Sequence, residues 1–164
     1  MSIAPRDEEE VEEMLHAELV EIAEETTGAN RFELVLPEGW PRPRGYSNGA
    51  VATGRFVTVA GQIGWNPLTR TFDTDDFAAQ ARQALHNVVE VLLAANARPH
   101  DLVRLTWYAT SRDEYMASLK ELGAAYREIM GDHYPPMSLV FVSSLVESHA
   151  KVEIEATAVI PEHA

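Results

Sequence analysis

The 164-residue chain contains no cysteine. Disulfides, zinc–thiolate centres and thiol nucleophiles are thereby excluded. Basic residues are scarce: 13 Lys and Arg stand against 26 Asp and Glu, a net charge of −13. That balance opposes any role built on neutralising phosphates, so neither nucleic acid nor a membrane surface is expected as a partner. No apolar run approaches the length of a membrane span. The opening MSIAPRDEEEVEE is acidic and holds no apolar run behind basic residues, unlike a secretory signal, so a cytoplasmic protein is expected. None of the six histidines is spaced as a metal pair on a helix. A glycine-rich phosphate loop and a Gly-x-Ser-x-Gly elbow are also lacking. No metal or cofactor is expected. Ser148 and Lys151 match an S-x-x-K pattern, but in a turn between strands rather than at the start of a helix, where that chemistry needs the serine.

What the chain does have is a hydrophobic share of 46% at a length suited to one domain with a real core. Val11, Met14, Leu15, Leu19 and Ile22 follow helical spacing behind an acidic run, predicting an amphipathic helix over residues 7–26. Residues 1–30 therefore read as a helical extension, and residues 31–164 as the domain. A short strand is expected at 32–36, then a loop rich in proline and glycine. Residues 50–52 and 56–60 flank Thr53-Gly54-Arg55 and predict a β-hairpin. The clearest helix spans 75–95, with Asp75 or Asp76 as cap and Phe77, Ala81, Leu85, Val88 and Leu92 along one stripe. A strand at 102–110 precedes a second helix at 112–130, whose expected buried side is Tyr115, Leu119, Leu122, Tyr126 and Ile129. Strands follow at 137–145 and 151–160.

This order predicts an α+β fold, a mixed sheet with two helices on one face. The segment Leu139-Val140-Phe141-Val142 is apolar on both sides, which argues that the far face is covered too. Oligomerisation through the sheet is the simplest cover. In KVEIEATAVI, at 151–160, Val152, Ile154, Ala156, Ala158 and Ile160 alternate with a second set that includes Glu153 and Glu155. Side chains two apart on a strand lie roughly 7 Å apart, close enough for one carboxylate to influence the other. In a partly dry cleft such a carboxylate can activate water as a general base. Trp107 and Tyr108, being adjacent, point to opposite faces, so one of them faces the Glu153 side.

Five collinear segments then stand out: GYSNGA at 45–50, FVTVAGQIGWNP at 56–67, FAAQARQALHNVVEVL at 77–92, YPPMSLVFV at 134–142 and KVEIEATA at 151–158. Together they resemble the Rid (YjgF, reactive intermediate deaminase) family over about residues 45–161. The resemblance implies a chorismate-mutase-like fold, a homotrimer with sites in clefts between subunits, and hydrolysis of a reactive imino or enamino acid. It implies that Tyr46 and the backbone of Gly61 bind substrate and that Glu153 positions the hydrolytic water. Glu155 receives no role from it.

The chain also departs from the pattern. Where archetypal members read P-x-R-S, with an arginine clamping the substrate carboxylate, this chain reads Pro136-Met137-Ser138. Methionine cannot make a forked, charge-assisted bond. The next pocket position, commonly cysteine, is Leu139, and an asparagine on the second helix is replaced by Gly123. Met137 and Leu139 are expected to line the apolar end of a pocket for a small, partly apolar substrate. Arg42, Arg44 or Arg104 could replace the missing cation. Loss of the polar positions also leaves open a non-catalytic trimeric protein that binds a small molecule. A ribonuclease activity, also attached to the family, is opposed by the acidic balance.

Overall fold

The structure, a computed structural model, describes residues 32–161. The helix expected over residues 7–26, and with it the extension over 1–30, lies outside the described residues. These form β1 (Glu33–Val35), β2 (Gly49–Val51), β3 (Arg55–Ile63), α1 (Phe77–Ala94), β4 (Leu102–Ala109), α2 (Arg112–Ala117), α3 (Leu119–Met130), β5 (Met137–Phe141) and β6 (Val152–Ile160). A 3₁₀ turn, Pro99–Asp101, leads into β4. Four strands make one sheet in the order β3-β6-β4-β5. β6 is antiparallel to both neighbours, and β4 and β5 are parallel. A parallel pair needs a crossover, and α2 with α3 supplies it. The mixed α+β architecture is the one expected from the order of elements.

The core lies between the sheet and α1. Along β6, Val152, Ile154, Ala156 and Ala158 are buried, while Glu153, Glu155 and Thr157 are half-buried. The helix opposes them with Phe77, Ala81, Leu85, Val88 and Leu92, all buried at helical spacing. Each large side chain buried in this way contributes about 1.5–3 kcal/mol. Asp76 is the N-cap of α1, accepting from the Ala79 N–H at 2.8 Å.

Two buried amides on α1 tie loops to this core. The Gln80 side-chain NH₂ donates to the carbonyls of Thr74 (2.9 Å) and His149 (3.1 Å), and its Oε1 accepts from the Lys151 N–H (2.9 Å). Asn87 Nδ2 donates to the carbonyls of Ile63 and Trp65, both at 3.0 Å. Satisfied in this way, they cost little to bury. They also set the chain direction two residues before Glu153 and just after Gly61.

The structure corrects three expectations. The predicted hairpin about Gly54 does not form: β2 pairs with β1, whereas β3 pairs with β6. Gly54, at φ +148°, passes over the end of β6 so closely that a Cβ would stand 2.1 Å from the Ile160 carbonyl oxygen. The chain therefore crosses from one sheet to the other instead of turning back, and the long β3 finds more pairing on β6.

The helix expected over 112–130 is interrupted at Ser118. The Ser118 hydroxyl donates back to the Glu114 carbonyl at 2.8 Å. Its N–H is shared between the Glu114 and Tyr115 carbonyls, both at 3.1 Å. Back-bonding of this kind bends a helix. The buried stripe turns with it, to Leu122, Ala125, Tyr126 and Met130, and leaves Leu119 exposed and Tyr115 and Ile129 half-buried. Finally, the strand expected over 137–145 ends at Phe141.

Candidate functional site

Register decides which residues can meet. Leu105, Trp107 and Ala109 stand beside Met137, Leu139 and Phe141 across the parallel β4–β5 pair. On the other side of β4, toward β6, Trp107 stands beside Ile154 and Tyr108 beside Glu153, while Val140 of β5 stands beside Tyr108 on the first side. Because side chains alternate, Met137, Leu139 and Trp107 share the helix-covered face, and Glu153, Tyr108 and Val140 share the open one.

On the helix face, Met137, Leu139, Trp107, Tyr134 and Tyr46 help to line a cavity of about 430 Å³. That volume suits a small organic molecule. Tyr46 reaches it from the loop before β2, because Ser47 pins that loop to the entry of β5. Its hydroxyl donates to the Tyr134 carbonyl at 2.6 Å and its N–H to the Pro135 carbonyl at 3.2 Å. Tyr134 is held in turn by stacking on Tyr126, with ring centroids 5.2 Å apart. Burial pushes the Tyr126 hydroxyl above its ordinary range, so it stays a neutral donor, bonded to the His133 carbonyl at 2.8 Å.

The indole N–H of Trp107 is buried and has no hydrogen-bond partner among the described residues. Such an unpaired group costs about 1–3 kcal/mol. A second cavity, of about 350 Å³, shares Tyr46, Met137 and Ser138 with the first and adds Arg104.

On the open face the two remaining predicted residues lie against each other. β3 carries an irregularity between Val59 and Gln62, and this brings the Gly61 backbone onto the Glu153 side chain. A Cβ at position 61 would stand 1.8 Å from Glu153 Oε1, so only glycine admits the carboxylate. Glu155 is engaged otherwise, accepting from the Tyr108 hydroxyl at 3.0 Å. That bond, followed by burial and the Glu155 charge, pushes the Tyr108 hydroxyl up. The Glu153 carboxylate makes no hydrogen bond or ion pair among the described residues. The two glutamates are thus distinguished by Tyr108, the aromatic that the alternation assigned to one side without saying which.

The predicted residues therefore fall into two groups within one chain. Tyr46, Met137 and Leu139 meet at the cavity, and Gly61 meets Glu153 on the other face of the sheet. Of the arginines considered, Arg44 lines the larger cavity and Arg104 the smaller, while Arg42 lines neither. Sequence reading missed Arg127, which also lines the larger cavity. Its position four residues after Gly123, one helical turn away, was the available signal.

Fold and site together describe a layered α+β protein whose pocket lies beside an edge strand of its sheet. Residues 41–160 match the family described as Endoribonuclease L-PSP. A RutC family protein of Pyrococcus horikoshii is 32% identical over 126 residues, which cover 77% of this chain and 96% of that protein. A 2-iminobutanoate/2-iminopropanoate deaminase of Escherichia coli is 34% identical over 66% of this chain and 83% of its own length. Among solved structures, a Rid family protein of unknown function from Yersinia pestis superposes with a TM-score of 0.69 at 31% identity, covering 79% of this chain and 99% of that one. Escherichia coli TdcF, solved with bound serine, gives a TM-score of 0.59 at 28% identity, covering 82% of this chain and 97% of that one. The chain belongs to this family, the Rid or YjgF family, as its five sequence segments implied.

Proposed function

We propose that the chain is a hydrolase of C=N bonds that deaminates a small, partly apolar imine or enamine in clefts between the subunits of a homotrimer. The observation that carries this reading is the Glu153 carboxylate, seated on Gly61 and without a hydrogen bond among the described residues. Family membership and the deaminase activity named for the Escherichia coli relative support it. The split of the site across the sheet supports the shared cleft. A substrate in the Met137–Leu139 cavity cannot reach Glu153 of the same chain around the sheet, but a second copy can present its own Glu153. Exposed Val140 and Phe56 on the sheet give such a copy an apolar surface to cover.

Within the cleft, Glu153 takes a proton from water as the water oxygen bonds to the imine carbon. The C=N electron pair moves to nitrogen, which is protonated. The tetrahedral adduct then expels ammonia and leaves the carbonyl product, consuming one water. Tyr46 and the backbone of Gly61 hold the polar end, and Met137 with Leu139 packs the apolar end. No cofactor is needed for this sequence of steps. The test is ammonia release from imines generated in situ by an amino-acid oxidase, with Glu153→Gln as the matched inactive variant. Equal rates for the two proteins would refute the assignment. The rival reading, a non-catalytic trimeric binder, draws on Met137, Leu139 and Gly123, which make three pocket positions apolar or empty. It predicts ligand binding with no turnover in either protein.

A further inference from the structure

The larger cavity has an electrostatic sign opposite to that of the molecule. The chain carries twice as many acidic as basic residues, 26 against 13. The cavity lining nevertheless contains Arg44 and Arg127 and no aspartate or glutamate. Arg127 reaches it from α3, and Gly123, one turn earlier, supplies the room. A Cβ at 123 would already stand 3.4 Å from Arg127 Nη1, so a longer side chain there would crowd the guanidinium. Neither guanidinium makes a hydrogen bond or ion pair among the described residues. Glu128, the carboxylate next to Arg127 in sequence, is engaged by Arg82 of α1. The remaining wall is aromatic and aliphatic, with Trp107, Tyr134, Leu119 and Met137.

We propose that Arg127, aided by Arg44, is the anion clamp of this cavity, and that the ligand class is a carboxylate bearing an aryl or long alkyl body. The inference rests on the reading that this cavity receives the substrate, and it names the class: imines or enamines of aromatic and large aliphatic amino acids. A guanidinium presents a planar fork that matches a carboxylate with two parallel hydrogen bonds. The apolar wall beneath lowers the local dielectric and strengthens that pairing. Because the cation is carried by a helix and not by β5, the carboxylate is held away from Met137. A three-carbon acid then leaves most of the volume of about 430 Å³ unfilled, whereas an aryl body occupies the space against Trp107 and Met137.

Calorimetric titration of the full-length protein with 3-phenylpropanoate, 3-phenylpropanamide and acetate tests this directly. The native protein is expected to bind the phenyl acid roughly tenfold more tightly than its amide, the size of one charge-assisted hydrogen-bonded contact, and to bind acetate weakly. Arg127→Met should abolish the preference for acid over amide while leaving amide binding unchanged, and Arg127→Lys should restore part of it. Equal affinity of the native protein for acid and amide would overturn the proposal, as would no binding of either. A preference that survives in Arg127→Met but is lost in Arg44→Met would overturn the role given to Arg127. Glu153→Gln separates the two readings: it should end turnover and keep the acid preference. Acid preference without any native turnover would uphold the clamp and refute the hydrolase.

Discussion

Gly61→Ala offers the sharpest separation of structure from chemistry. The new Cβ would fall 1.8 Å from Glu153 Oε1, 2.6 Å from Cδ and 2.7 Å from Cγ. All three atoms belong to a flexible side chain, so the clash is relieved by swinging the carboxylate away and not by moving backbone. Displacing one side chain into a less favoured rotamer costs about 0.5–1.5 kcal/mol. The loss of unfolded-state freedom from Gly to Ala returns about 0.4–1 kcal/mol. Net destabilisation is therefore within about 1 kcal/mol, a shift of a few degrees in Tm. Activity should suffer far more, since a general base removed from its position costs on the order of 10²–10⁴ in rate. Gly64→Ala is the counterpart. Its Cβ would stand 2.5 Å from the Cα, Cβ and carbonyl oxygen of Gln80, most of it helix backbone that cannot yield. That variant should lose stability first, by about 1–3 kcal/mol or more. Thermal denaturation and imine hydrolysis measured on both variants decide the matter. Full activity in Gly61→Ala would show that the seat on Gly61 has no part in placing the base. A Gly61→Ala, Glu153→Gln double variant should be no slower than either single one, because both remove the same function.

Glu153→Gln should lower turnover by about a hundredfold or more with little change in folding, and Glu155→Gln should change it little, because a glutamine oxygen can still accept from Tyr108; equal small effects would refute the distinction. Light scattering should give three chain masses, and a single chain mass would remove the shared cleft. Short anionic imines such as 2-iminopropionate should be poor substrates, because a three-carbon acid held by Arg127 leaves most of the cavity of about 430 Å³ unfilled, and Met137→Arg should improve them by placing a cation on β5; native turnover matching an arginine-bearing relative would refute this. Burial, opposed by the bond to the Leu102 carbonyl at 2.9 Å, holds His133 below the ordinary imidazole range. The unfolded chain takes that proton near pH 6.5 and the folded one resists it, so stability falls as pH drops below about 6.5. His133→Gln should flatten this part of a stability–pH profile, and an unchanged slope would count against a role for this histidine.

Much of the domain was legible along the chain. The alternation in KVEIEATAVI was enough to predict the central strand, and the stripe from Phe77 to Leu92 predicted α1, because both periods report one buried face directly. Family membership followed from five short segments, and with it the residues of interest. The hairpin about Gly54 was misread because turn chemistry is local while strand pairing is not. Nothing near Gly54 announces that Ile160, more than a hundred residues later, lies against its backbone. The break at Ser118 was missed for the opposite reason. A serine that bonds back to Glu114 changes the helix phase without changing the hydrophobic spacing around it.

By itself, then, the sequence determined the acidic net charge, the elements with strong periodicity and the family, since each of these is carried by residue type and local order. Tertiary structure alone decided that Tyr108 faces Glu155, that Gly61 lies under Glu153, and that Met137 and Glu153 stand on opposite faces of one sheet. It alone brought Arg127 to a cavity free of acids. These are consequences of register and of helix phase, which arise when distant segments pair and pack, and no single stretch of chain contains them.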